Sequence, residues 1–300
     1  MDEKILIQKI NNLKKEKDAV ILVHNYQRPE IYKVADFIGD SLELSRKAAE
    51  TNAKIIVFCG VDFMAESAKI LNPEKKVLLP ALEAKCPMAA MVTAEELLKE
   101  RKKYKDVAVV SYINTTADVK AVSDICCTSS NAVKVVNSLK EKNIIFVPDR
   151  NLADYVARFT SKKIIPWQGY CYVHARFLAE QIREAKKQHP AAVVIAHPEC
   201  PADVIDEADS VCSTSGMIEL AKSSDSKEFL ICTEAGMVER LKIEVPNKTF
   251  YTLGTICLQQ KKNNLQKVYD CLNNETNEVD VPAKIRKNAK KALDRMLRVK

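Results

Sequence analysis

Apolar runs with little alternation and amphipathic stretches of helical spacing succeed one another along this chain in an order that repeats. AVILVH at 19–24 leads into a polar loop, an Asp, a Ser/Thr cluster and a helix-like segment. The same succession begins again at VAVVSY, 107–112, and at AVVIAH, 192–197. The offsets agree: His24 to Ser41, Tyr112 to Ser129 and His197 to Thr214 are each 17 residues, and Asp36, Asp124 and Asp209 each stand five before that hydroxyl. Internal periodicity of this kind marks a repeated supersecondary unit.

Each copy continues alike. A second apolar run (KIIVFCG, NIIFVPD, EFLICTE) precedes a short helical pattern (DFMAESAKIL, NLADYVARF, AGMVERLK) and a third apolar run (KKVLLP, KKIIPW, KTFYTL). An amphipathic helix comes before each copy: the N-terminal one, TAEELLKERKKY with Thr93 and Glu96 as a capping box, and FLAEQIREAKKQ. The unit reads α-β-loop-α-β-α-β over about 86 residues. Apolar runs separated by helices imply parallel strands covered on both faces. The expected fold is three homologous three-layer α/β sandwich domains with parallel sheets around a pseudo-threefold axis. Their predicted spans are 1–88, 89–173 and 174–257, with the helical segment 258–300 packing back on the first. Loops after strand C-termini build the ligand site in such sheets.

Composition narrows the class. At 300 residues and 47% hydrophobic, with 6 Gly and 11 Pro, the chain can bury a large core, and disorder is excluded. The charged amphipathic N-terminus lacks a signal-peptide core, and nowhere do 18 uncharged apolar residues run together, so a soluble, cytoplasmic protein without membrane contact is expected. The net charge of +7 comes from Lys interleaved with Glu along helix-like segments. No aromatic-basic module or helix-turn-helix is visible, so nucleic acid is not an expected partner.

Ten cysteines without a CxxC pair leave buried thiols, metal ligands and reactive thiols as readings. The repeat sorts them. Cys86, Cys171 and Cys257 each follow the third apolar run, 85 and 86 residues apart. Cys59 and Cys232 are equivalent to each other but sit in strand-like runs, and the other five recur in no register. Three domains meeting on an axis would bring three equivalent thiols to one point, which suits a soft metal centre. A 4Fe-4S cubane with one open iron acting as a Lewis acid, zinc with an open position, and no metal all fit this spacing. AHPECP at 196–201, which crowds His197, Glu199 and Cys200 together, imitates a metal site. Self-alignment places His197 in the register of His24 and Tyr112 instead, and Cys200 has no counterpart.

The hydroxyls Ser41, Ser129 and Ser213–Thr214 open helix patterns, as N-caps do. Three in register also fit a ring of anion-binding positions for a small polyanionic ligand. The first loops add His24, Asn25, Tyr26, Tyr112, Asn114, His197 and Glu199, groups able to move protons and hold substrate. His189 reads as a helix-end residue. His174, three residues after Cys171, reads equally as a neighbour of the metal or as a helix start.

HNYQRPE, ADFIGDS, GVDFMAE, CPMA, YINTTADVKA, TSSNAV, PDRNLA, CYVH, HPECP, STSGM and TEAGM, with Cys257 followed by KKNNL, run in order over some 250 residues. In these motifs the chain resembles the quinolinate synthase family essentially end to end. The resemblance implies one 4Fe-4S cluster on Cys86, Cys171 and Cys257. It also implies condensation of iminoaspartate with dihydroxyacetone phosphate to quinolinate, phosphate and two waters, in de novo NAD biosynthesis. Carried over by motif, His24, Ser41, Tyr112, Asn114, Ser129, His197, Glu199, Ser213 and Thr214 would bind substrate, and Tyr26, Tyr112 and Glu199 would transfer protons. A transient contact with the enzyme supplying the unstable iminoaspartate would fit this chemistry. Ser215 stands where the family usually has Gly, and Gln260 where Met is usual; Thr115 and Tyr170 are milder departures. Another hydroxy-acid hydratase and a cluster-based oxygen or iron sensor are the competing classes.

Overall fold

The computed structural model describes residues 2–299, so Met1 and Lys300, the outermost residues of the predicted first domain and C-terminal segment, lie outside the described residues. It contains three sheets of four parallel strands. The first holds β1 (Ala19–His24), β2 (Phe37–Gly39), β3 (Ile55–Cys59) and β4 (Lys76–Leu78). The second holds β5 (Val107–Tyr112), β6 (Ile125–Cys127), β7 (Asn143–Val147) and β8 (Lys163–Pro166). The third holds β9 (Val193–Ala196), β10 (Ser210–Val211), β11 (Glu228–Cys232) and β12 (Thr249–Thr252). Every sheet has the same order, with the first strand of the unit between the second and third, and the fourth at the far edge.

Each sheet is buried on both faces, as unbroken apolar runs require. In the first, Ile21, Val23, Val57 and Cys59 join one core while Leu22, Ile56 and Phe58 join another. The third sheet divides likewise: Ile195, Phe229 and Ile231 face one way, Val194, Leu230 and Cys232 the other. In the second, Val109, Ile145 and Val147 form a separate outer core, and Val110, Ile144 and Phe146 merge with the first sheet's inner core. The result is three three-layer α/β sandwiches, two of them sharing a continuous core.

The structure adds a strand per unit to the sequence expectation. β2, β6 and β10 are only two or three residues long, too short to show a period, and each follows a short helix inside the first loop. The repeating Asp explains them. Asp36, Asp124 and Asp209 accept hydrogen bonds from the backbone N–H groups of Ile21, Val109 and Val194, at 2.7, 2.7 and 2.8 Å. Their own N–H groups donate to the carbonyls of the same three residues. Each Asp thereby extends the ladder one step below its short strand and fixes where the loop re-enters the sheet.

The segment after residue 257 divides, rather than packing wholly on the first unit. The helix Leu265–Asn274 lies on the first helix, Glu3–Glu16, through Leu265, Val268 and Leu272 against Leu6 and Ile10. Asn277 and Val279 then cover the open edge of the first sheet, where Leu79 N–H donates to Asn277 and Val279 N–H to Val77. The last helix, Ala283–Arg298, carries its stripe of Ala289, Ala292, Leu293 and Met296 into the core shared by the first two units. Arg295 Nη1 donates to the Asp124 carbonyl of the second unit at 2.7 Å. The stripe fits a seam between two units better than a single sheet face. No helix among the described residues is long and apolar enough to cross a membrane.

Candidate functional site

The C-terminal ends of β1 and β5 deliver His24 and Tyr112 to one internal cavity, and the residue after β9, His197, reaches it from the third unit. The same cavity is lined by Cys86, Cys171 and Cys257, by Ser41, Ser129 and Thr214, and by Tyr26, Asn114, Glu199 and His174. Asn25 lies behind the wall, donating to Thr214 Oγ1 at 3.0 Å, and Ser213 also lies outside the cavity. It caps the helix Thr214–Ser223, accepting from Gly216 N–H at 3.3 Å, and faces a second, outer cavity. Between the two cavities sits Asp40, whose Oδ2 accepts from Ser130 of the second unit and from Ser213 of the third, the latter at 3.2 Å. Three units thus meet at one carboxylate.

Each of the three cysteines stands just before a 3-10 turn: Met88–Met91, His174–Arg176 and Gln260–Lys262. Burial pushes the Cys86 thiol up to about 12 and raises those of Cys171 and Cys257 as well. A free reactive thiol shows the opposite shift. Cys200, by contrast, lies in the core, with its sulfur against the Cys232 carbonyl at 3.4 Å. His189 closes a helix and stacks on Tyr251.

His24 and His197 are held alike. Each accepts on Nδ1 the backbone N–H two residues on, from Tyr26 at 3.2 Å and from Glu199 at 3.3 Å. That bond assigns the proton to Nε2 and leaves it as a donor. Burial first, aided by the Lys261 charge for His24 and by His174 for His197, lowers both to about 3. Both rings are therefore neutral donors at ordinary pH.

His174 joins the chemistry. Its Nδ1 is 2.7 Å from Glu199 Oε2, somewhat out of line for a strong hydrogen bond, and its ring stacks on His197 at 4.5 Å. Its Nε2 meets Thr233 Oγ1 at 2.8 Å, and that hydroxyl meets the Tyr26 phenol at 2.6 Å. Contacts thus run from Glu199 to His174, and hydrogen bonds from His174 through Thr233 to Tyr26. Burial alone would raise the Glu199 carboxyl, but His174 beside it holds it down to about 2. Burial, and next the Glu199 charge, push Tyr26 and Tyr112 well above the ordinary phenol range, so both stand protonated. Thr233 escaped the sequence reading; its only signal is its place directly after β11, at the head of TEAGM.

Two donor sets could hold metal. Cys171, His174 and Glu199 place ligand atoms within 4.8 Å of one another, as a single ion requires. Of those three, His174 lies 2.7 Å from Glu199 and bonds Thr233 through Nε2. Three thiols from three units on one cavity are the softer set, and thiolates serving separate corners of a cubane stand farther apart than ligands of one ion. Glu199 Oε1, Asn114 Oδ1 and Gln259 Oε1, all of residues on the cavity wall, are buried without a hydrogen-bond partner. Orphaned acceptors at one cavity mark a place built for a guest.

Of the departures, Gln260 alone lines this cavity. Gln260 is buried on its wall, accepting from Gln27 Nε2 at 2.5 Å and approaching His24 Nδ1 at 3.5 Å. Ser215 points to Glu43 on the outer side. Thr115 is buried and bonds the Tyr112 carbonyl at 3.0 Å, and Tyr170 is exposed.

Comparison with known proteins agrees with this arrangement. The family described as Quinolinate synthetase A protein matches residues 8–298. A protein of Methanoregula boonei named quinolinate synthase is 53% identical over 300 residues, covering 99% of each chain. Proteins of the same name from Alkaliphilus metalliredigens and from a Geobacter species are each 52% identical, covering 100% of this chain and 100% and 99% of their own. The chain belongs to the Quinolinate synthetase A protein family.

Proposed function

We propose that the protein is a quinolinate synthase of de novo NAD biosynthesis, acting in the cytoplasm, that condenses iminoaspartate with dihydroxyacetone phosphate and releases phosphate and two waters. Cys86, Cys171 and Cys257 would hold a 4Fe-4S cluster. An iron without a protein thiolate supplies Lewis-acid polarisation of a substrate oxygen. The observation that carries the reading is the meeting, on one cavity, of three in-register cysteines with in-register loop residues and hydroxyls from all three units.

The polar lining suits these substrates. Ser41 and Thr214 begin ten-residue helices, where free N–H groups and the positive dipole end favour phosphate and carboxylate, and Ser129 adds a third hydroxyl. His24 and His197 offer Nε2–H donors that stay neutral, and Asn114 adds an amide. Ring formation with loss of two waters needs protons removed from carbon and delivered to departing hydroxyls. Tyr26 is a protonated phenol that can deliver a proton to a departing hydroxyl, and the ionised Glu199, near it through Thr233 and His174, can take up a proton removed from carbon. Tyr112, also protonated, serves as a second donor. Atoms balance without an oxidant: the carbon and nitrogen of the two substrates account for quinolinate, and the remainder leaves as phosphate and two waters.

Anaerobic iron and sulfide analysis of the protein and of Cys171→Ser, with quinolinate assay of both, tests this. Iron and sulfide at the 4Fe-4S ratio in the wild type, with loss of both cluster and quinolinate in the variant, is expected. A colourless, zinc-bearing wild type would overturn the cluster assignment.

A further inference from the structure

Each ligand cysteine is held by the backbone as well as by its place in the chain. Asp62 Oδ1 accepts the N–H of Cys86 at 3.2 Å, Asp149 Oδ2 that of Cys171 at 3.0 Å, and Glu234 Oε1 that of Cys257 at 3.2 Å. These carboxylates occupy equivalent places, two or three residues past the ends of β3, β7 and β11, and 87 and 85 residues apart. Each also ties the helix it opens: Asp62 Oδ1 accepts from Phe63 N–H at 2.9 Å, Asp149 Oδ1 from Leu152 N–H at 2.7 Å, and Glu234 Oε2 from Gly236 N–H at 2.7 Å. The third copy uses the longer Glu, and Gly236 makes room for it: a Cβ there would stand 2.6 Å from Glu234 Oε2 and collide with Lys261 Nζ.

Asp149 and Glu234 are wholly buried. A buried carboxylate is costly unless its bonds compensate, and three at equivalent positions point to a shared task. The arrangement around each cysteine is the same in all three units: its own N–H is taken by a side-chain oxygen from the turn after the unit's third strand, and a 3-10 turn follows it.

We propose that Asp62, Asp149 and Glu234 are positioning residues for the cluster, fixing each ligand cysteine's backbone and holding its N–H away from the cluster's sulfurs. The inference rests on the reading of the three cysteines as cluster ligands. An N–H committed to a side-chain oxygen cannot turn toward a thiolate or a cluster sulfide, so these three side chains fix which hydrogen bonds the cluster receives. Hydrogen bonds to sulfur and net charge are the levers that set such potentials.

Asp62 offers the cleanest test, because both of its backbone bonds go to one oxygen and the residue is not wholly buried. Asp62→Asn keeps an oxygen acceptor there and removes the charge; Asp62→Ala removes both. The full-length proteins are reconstituted anaerobically and compared for iron and sulfide per chain, for loss of iron to a chelator and for midpoint potential, with thermal unfolding as the check on folding. Asp62→Ala is expected to lose iron about 10- to 100-fold more readily. Asp62→Asn, which keeps the acceptor, is expected to retain iron and midpoint potential like the wild type, whereas Asp62→Ala frees the Cys86 N–H and moves the potential upward. A wild-type potential or wild-type chelator resistance in a folded Asp62→Ala overturns the inference while leaving the cluster reading intact. A wild type that binds no iron and sulfide overturns the cluster reading itself.

Discussion

His174 Nδ1 lies 2.7 Å from Glu199 Oε2, in a pocket where the two side chains are 1% and 4% exposed. A carboxylate this deep would ordinarily protonate. The imidazole beside it keeps it ionised and able to take up a proton.

Replacing His174 by Asn removes the ring beside Glu199 and cuts the path. The expected outcome is a fall in kcat of about 10²–10⁴-fold, with the anaerobic absorption spectrum of the cluster unchanged. Steady-state assay with the spectrum recorded on the same sample checks it, and an unchanged kcat would remove the path from the mechanism.

Thr233 bridges Tyr26 and His174 through one hydroxyl. Thr233→Val keeps the shape and deletes the bridge, and about 10²-fold is expected to go from kcat with KM little altered. Thr233→Ser should restore most of the rate, which a purely packing role for the methyl group would not allow.

Acid should unfold the protein from an unusually high pH. His24 and His197 titrate near 3 in the folded chain against 6.5 when exposed, so below 6.5 the unfolded state binds protons that the folded state refuses. Stability therefore falls as pH drops from 6.5 toward 3, by up to about 1.4 kcal/mol per pH unit for each histidine. Glu199, folded near 2 against 4.5, adds its loss in the same direction below 4.5. Urea unfolding midpoints measured from pH 7 to pH 4 should decline, and His24→Gln should flatten the slope; a midpoint indifferent to pH contradicts the neutral, buried rings.

Asp209→Ala deletes the carboxylate that accepts from Val194 N–H and extends the ladder below β10. A cost of about 1.5–3 kcal/mol is expected, as for a hydrogen bond to a charged group, read as a lower urea midpoint with unchanged slope. A change within error would mean that water replaces the carboxylate at no cost.

Much of this was legible before any coordinates because the chain states its design three times. Apolar runs without alternation announced parallel sheets, and the 17-residue offset brought His24, Tyr112 and His197 into one register. Selecting Cys86, Cys171 and Cys257 needed only their period, and the structure puts all three on one cavity. The short strands β2, β6 and β10 stayed hidden because two or three residues cannot display a period of two. Ser213 and Thr214 were indistinguishable on paper; a helix cap and a cavity-facing hydroxyl differ only in which way they point. Thr233 and the carboxylates of Asp62, Asp149 and Glu234 act through contacts between segments far apart in sequence, which spacing does not reveal.

The central claim is best tested by mixing the anaerobically reconstituted protein with iminoaspartate and dihydroxyacetone phosphate and measuring quinolinate and inorganic phosphate together. The account predicts that the two appear in equal amounts, with neither formed when one substrate is omitted. A fully loaded 4Fe-4S protein that yields no quinolinate, or phosphate without quinolinate, would contradict it.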